Sequence, residues 1–311
     1  MRCRQTTLSA FCAVIIIMSG VAACGLPAEQ SDIERASSPE LSLLPVEVAP
    51  GGYLVVHVDN VEYEDEVNLH PEMPVRFSHK QGGRVALVAV DAGVEPGRHS
   101  FLVEVRRDKR MLLFREVTYE VKEREFATQH LQTTPQMRET RRPELFEEDR
   151  EQYARAYAET HPQALWEDDF TKPIEGRLTT EFGVERYIDD EFASRHSGLD
   201  IAALTGTPVR AANCGVVRLA ARLHVGGKTI IVDHGMNLYS VYLHLSSMLV
   251  DQGDEVAREE IIGEVGSTGF STGPHLHWTM SIGGVPICPW LIKEKNPLGL
   301  LRELIQEDDS C

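Results

Sequence analysis

The chain has 311 residues, 42% of them hydrophobic and 25% charged, enough for two domains that each bury a core. Its 31 basic residues face 48 acidic ones, a net charge of −17 spread along the chain without a long single-sign run or a basic patch. Such a surface repels a phosphate backbone, which argues against nucleic acid as a partner.

Residues 1–23 read as an export leader and stand outside the fold. Arg2 and Arg4 form a positive end, an apolar stretch runs from Leu8 to Gly20, and Val21-Ala22-Ala23-Cys24 follows. The stretch is shorter than the ~20 residues that span a bilayer. Small residues before a cysteine resemble the lipobox of bacterial lipoproteins, which implies cleavage after Ala23 and lipidation of Cys24. The other reading is an ordinary secretory signal that leaves Cys24 as a thiol. Cys3 and Cys12 depart with the leader, so Cys214, Cys288 and Cys311 allow at most one internal disulfide, with the pair left open. No Cys-rich zinc pattern is present, so a metal would need histidine and carboxylate ligands.

Residues 24–45, rich in Ser, Pro and Glu, read as a flexible tether. Residues 46–126 read as all-β. Tyr53 to Val58, Arg84 to Val90, Ser100 to Val105 and Leu112 to Val121 are short β-rich runs separated by turns such as Pro50-Gly51-Gly52 and Val94-Glu95-Pro96-Gly97. Their spacing suggests a small sandwich, and the turn pattern resembles the immunoglobulin-like domain of some exported cell-wall peptidases. Residues 127–170 form a linker with a helix from Glu144 to Thr160, ended by Pro162 and expected to pack between domains. Residues 171–296 are a second β domain. Its candidate strands are Thr207 to Leu219, Thr229 to Val232, Leu238 to Leu243, Ile261 to Val265 and His275 to Ile282. The fold class is therefore mainly β, two β domains joined by a helical linker, with a helical tail at 297–311.

The second domain holds the candidate chemistry. His275-Leu276-His277 on a strand places both imidazoles on one face. His196 and Asp200 form a histidine–carboxylate pair suited to zinc, with Gly198 between them marking a turn that lets the side chains converge. His244 follows an apolar, strand-like run. Each feature alone has a bland reading as a surface or core residue. Arg186 and Tyr187 read as loop residues near the first ligand, and His234 as structural.

Taken in order, these segments resemble the lysostaphin-type, LytM-like zinc endopeptidases. The matching runs are Arg195-His196-Ser197-Gly198-Leu199-Asp200-Ile201-Ala202, then Asp233-His234-Gly235 with Tyr242-Leu243-His244-Leu245-Ser246, then Gly266 to Trp278. The resemblance covers about residues 173–290. It implies a hybrid-barrel catalytic domain with one zinc held by His196, Asp200 and His277, and His244 and His275 as catalytic histidines. It implies hydrolysis of peptide cross-links in bacterial peptidoglycan, with the peptide stems as substrate. With the leader it implies an envelope address, anchored through Cys24 to the outer membrane if the host is Gram-negative, because Gly25 supplies no aspartate retention signal. A wall-binding module or activator of other hydrolases on the same fold is the alternative, against which stands the intact five-residue set. A lipoyl- or biotin-carrier reading lacks its lysine, since none lies between Lys228 and Lys293.

Overall fold

A computed structural model describes residues 38–308 except 72, 74, 81, 82, 133–138, 140, 141, 167, 168 and 295. The leader, Cys24, the start of the tether and Cys311 lie outside these residues. Cys214 and Cys288 are both free thiols.

Two four-stranded sheets form the first half. One runs in the order β1 (Glu40–Leu44), β3 (Tyr53–Asp59), β6 (Gly83–Ala89), β5 (Ser78–Lys80). The other runs β2 (Glu47–Val48), β8 (Arg110–Val121), β7 (Gly97–Arg107), β4 (Glu66–His70). Leu54, Val56, Phe101, Val103 and Val117 from both sheets share one core. The tether is shorter than expected, because Leu41 and Leu43 alternate onto this core and draw 40–44 into the first sheet as β1.

The central strands of the first sheet, β3 and β6, are buried on both faces. Tyr53, Val55, Val85 and Leu87 point away from the sandwich core into the core of the second half, beside Phe182 and Ile201. That explains why β3 and β6 read as unbroken apolar runs rather than alternating ones. Gly51 fits this junction, since its φ is +80° and a side chain there would overlap the Phe182 ring. Its carbonyl accepts the Cys288 N–H at 2.7 Å.

The second half is built on an eight-stranded sheet ordered β10 (Arg177–Thr180), β13 (Leu199–Ala202), β21 (His275–Ile282), β17 (Leu238–Leu245), β16 (Gly227–Asp233), β15 (Gly215–Leu223), β19 (Glu255–Val256), with β22 (Val285–Ile287) against β21. A three-stranded sheet of β14 (Pro208–Arg210), β20 (Ile261–Glu264) and β18 (Ser247–Met248) packs with it around Val209, Ile230, Ile262 and Trp278. A third sheet joins β12 (Glu191–Arg195), β11 (Glu185–Ile188) and β9 (Thr128–Leu131). Short helices α2 (Pro289–Glu294) and α3 (Pro297–Asp308) close the chain, with α3 against β1 and β3.

The linker does more than connect. Its first residues form β9, paired in parallel with β11. Its helix α1 (Pro143–Tyr157) lies on one face of the large sheet and not between the domains. Tyr153, Ala156 and Tyr157 meet Leu219, Ile231, Tyr239 and Val241 there. The end of the linker is fastened by Asp233, whose fully buried carboxylate accepts from Thr160 Oγ1, the His161 N–H and the Gly235 N–H, each at 2.8 Å, and pairs with Arg218. Removing it leaves the Arg218 charge and several donors without their acceptor. Asp233→Ala is expected to cost about 3–5 kcal/mol of stability, read from the midpoint of urea denaturation; a loss near zero would contradict this role.

Candidate metal centre

The register between β13 and β21 sets the site. Asp200 is paired directly with His277, and Ala202 with His275. Along β21, His275, His277, Thr279 and Ser281 alternate onto one face, while Leu276, Trp278 and Met280 enter the core. His196 sits in the turn between β12 and β13, held by its N–H to the Val184 carbonyl and by its own carbonyl to Gly183 N–H, both at 2.8 Å.

Three atoms converge there. His196 Nε2 and His277 Nδ1 each lie within 2.9 Å of Asp200 Oδ1 and are 2.9 Å from one another. The opposite ring nitrogens are committed. His196 Nδ1 donates to the Glu181 carbonyl at 2.8 Å, and His277 Nε2 is hydrogen-bonded to Thr279 Oγ1 at 2.9 Å, a hydroxyl able to accept from it. With His277 Nε2 donating to Thr279, the two converging nitrogens are lone pairs aimed at each other, a repulsive arrangement that a cation beside the carboxylate turns into attraction. Two imidazoles and one carboxylate, all buried, suit a divalent metal with a fourth position left open.

The electrostatics agree with this geometry. Burial alone would raise the Asp200 carboxyl, but the facing His196 and His277 rings, which donate to it whenever the facing nitrogen carries a proton, outweigh burial and hold the group well below the usual carboxylate range. Burial pushes His277 down to about 4, so the ring is neutral and ready to ligate near pH 7.

His244 and His275 stand beside the three converging residues, with ring centroids 4.8 Å apart. Each has its Nδ1 tied to a backbone oxygen at 2.8 Å, Thr268 for His244 and Gly273 for His275. The free edge of His275 brings Nε2 to 3.7 Å from Asp200 Oδ1. His244 lies within β17, at a register shift and with φ of +63°, a conformation uncommon for a residue with a side chain. Burial, then the neighbouring His275 and His277, push it down to about 3. A groove of about 330 Å³ opens onto Asp200, His244 and His275, walled by Arg186 and the 270–275 segment.

The five histidine and aspartate candidates thus meet in one place. Three further residues complete it. Arg186 lies on strand β11, not in a loop, and its Nη2 donates to Asp200 Oδ2 at 2.8 Å. Gln129 of β9 accepts from Arg186 Nε at 3.2 Å. Thr279 carried a legible signal, because it stands two residues beyond His277 on the same face. Of the three glycines in the loop before His275, only Gly269 takes a positive φ, at +73°; Gly266 is needed for close packing against Ser246, and Gly273 has open space.

Comparison with known proteins places this arrangement. Residues 194–289 match Peptidase family M23. The DD-carboxypeptidase/endopeptidase Mpg of Neisseria meningitidis is 38% identical over 135 residues, covering 43% of this chain and 30% of that protein. Peptidoglycan DD-endopeptidase ShyA of Vibrio cholerae is 40% identical over 92 residues, covering 30% of this chain and 21% of that protein. The matched part therefore spans well under half the length of these curated relatives. A solved structure from Pseudomonas aeruginosa assigned to peptidase M23 is 30% identical and covers 78% of this chain and 94% of its own, with a TM-score of 0.56. The chain belongs to peptidase family M23. The M23 match includes the four histidines and Asp200 but leaves out α1, Gln129 and Arg186.

Two outcomes follow from this M23 site. Thr279→Val removes the acceptor that fixes the His277 ring and should weaken metal affinity about 10- to 100-fold in a chelator competition. His234, fully buried with Nδ1 donating to the Cys214 carbonyl at 2.7 Å, is pushed by burial from 6.5 down to about 4. The unfolded chain then takes up the proton first as pH falls, so stability is full above about 6.5 and declines toward 4. Over that interval His234→Gln should flatten the stability slope by up to about 1.4 kcal/mol per pH unit. Parallel slopes in the two proteins would rule this out.

Proposed function

We propose that the protein is a zinc-dependent metalloendopeptidase that hydrolyses peptide cross-links of bacterial peptidoglycan. The observation that carries this is the convergence of His196 Nε2 and His277 Nδ1 on Asp200 Oδ1, with two further anchored histidines at the edge of an open groove. Membership of family M23 supports it, as do the activities named for the Neisseria and Vibrio relatives.

In this reading His196, Asp200 and His277 hold the zinc. When bound, zinc polarises an amide carbonyl and makes water a nucleophile near neutral pH. The chain's own residues do the rest. With Nδ1 donating to a carbonyl, His244 and His275 both present Nε2 as a proton acceptor. His275 faces the groove and takes the proton of the attacking water. His244 is held neutral by its burial and orients the attacking water or the scissile amide through its lone pair. The proton taken at the start is the one the leaving amine needs at the end. Arg186 holds the second oxygen of Asp200, which leaves Oδ1 directed at the metal position.

The envelope address belongs to the same proposal. Peptidoglycan lies outside the cytoplasm; in this reading the leader ending at Ala23 supplies export and Cys24 the lipid anchor. Among the described residues no helix is long and apolar enough to cross a membrane.

Mass analysis of muropeptides released from purified sacculi tests the activity and identifies the bond, expected to be a D-Ala to meso-diaminopimelate cross-link. His277→Ala should lose both zinc and hydrolysis. His244→Ala should keep zinc while turnover falls about 10²- to 10⁴-fold. Normal digestion of sacculi by the His277 variant would refute the mechanism. Palmitate labelling that persists in Cys24→Ser would refute the anchor.

A further inference from the structure

Helix α1 lies outside the segment that matches the family, yet it packs on the same sheet face as the metal ligands. One of its side chains has no role in that packing. Asp149 is only 5% exposed, and its carboxylate turns away from the apolar contacts to accept two backbone N–H groups, His224 to Oδ1 and Val225 to Oδ2, both at 2.8 Å. A buried carboxylate is costly unless its charge is met, and here two amides of a single turn meet it.

That turn, residues 224–227, joins β15 to β16 and is the scaffold for the histidine side of the site. The Gly226 carbonyl accepts the His244 N–H at 2.8 Å, and the Val225 carbonyl accepts the Phe270 N–H at 2.8 Å. The Lys228 N–H donates to Thr268 Oγ1 at 2.9 Å, and the Thr268 carbonyl holds His244 Nδ1 at 2.8 Å. Gly227 has φ of +67° and lies against Thr268 with no room for a Cβ, as does Gly269 against the Gly227 backbone. The turn therefore touches His244 at its backbone directly and at its ring through Thr268. His244 needs such support, because it holds a left-handed backbone conformation that its own strand does not favour.

We propose that Asp149 is a positioning residue for His244, acting through the 224–227 turn, and that α1 is in this way a working part of the peptidase unit. Asp149 touches neither the metal ligands nor the groove. Its effect is on where the His244 ring stands, not on whether metal binds. The kinetic part of the test rests on the role given above to His244; the structural part does not.

The test uses the full chain loaded with zinc and compares Asp149→Ala, Asp149→Asn and Ala156→Gly. Ala156 lies on the same helix against the same sheet but makes no contact with the turn's N–H groups, so Ala156→Gly reports loss of packing alone. Expected for Asp149→Ala is a ten- to hundredfold fall in kcat with KM and zinc content unchanged. Asp149→Asn keeps one acceptor oxygen and should fall between that and the parent. Ala156→Gly should lower Tm while kcat stays within about twofold. Independently of activity, the His244 imidazole resonances in a nitrogen-15 NMR spectrum should move in Asp149→Ala and stay in place in Ala156→Gly. An unmoved His244 signal in Asp149→Ala overturns the proposal even if the protein hydrolyses nothing. Equal loss of kcat in Asp149→Ala and Ala156→Gly, or loss of zinc from Asp149→Ala, also overturns it.

Discussion

The alignment of β13 with β21 is the constraint on which the site depends. Asp200 opposite His277 puts a carboxylate and an imidazole on one face of one sheet at adjacent positions. A slip of one residue would send Asp200 into the core and bring Leu199 or Ile201 to the metal position. The slip is resisted from the other side of the sheet, where Leu199, Ile201, Leu276 and Trp278 are fully buried. Packing on the hidden face thus fixes the chemistry on the working face. His196 then needs only a turn, and its position is set by two backbone hydrogen bonds to the 183–184 segment.

Each imidazole of the site is held by the nitrogen it does not use. Three lean on backbone carbonyls and one on Thr279. Carbonyls cannot donate, so they choose the tautomer as well as the ring orientation. In the neutral ring this leaves Nε2 of His196, His244 and His275 as a lone pair, while the Thr279 hydroxyl, which can donate or accept, takes the partner role that the His277 tautomer requires. A site made in this way is poised for a cation and for proton acceptance, with little rearrangement on binding.

Much of this was legible in the residues. The His275 to Ile282 strand has the boundaries expected from its alternation, and the H-x-H spacing gave the shared face. Other features were hidden for physical reasons. Strand β1 carries its signal in Leu41, Leu43 and Leu44 within an otherwise polar stretch. Strands β9 and β11 pair across more than fifty residues, and parallel partners leave no local turn signal. Arg186 looked like a loop residue because its strand is short and half-exposed. Asp149 looked like one more surface charge on a charged helix, and only the tertiary fold shows that it is buried.

The central strands of the first sandwich sheet, β3 and β6, have no outer surface of their own. One face fills the sandwich core, and the other fills the core of the half that carries the metal centre. Residues 194–289, which match family M23, are therefore only part of the packed unit in this chain. Parted from the sandwich, the second half would bare Phe182 and its apolar neighbours to water, and the sandwich would bare Tyr53, Val55 and Leu87. The two halves cannot be exchanged like beads on a string. A packing change at Tyr53, Val55 or Leu87 on one side, or at Phe182 on the other, is felt across this shared core.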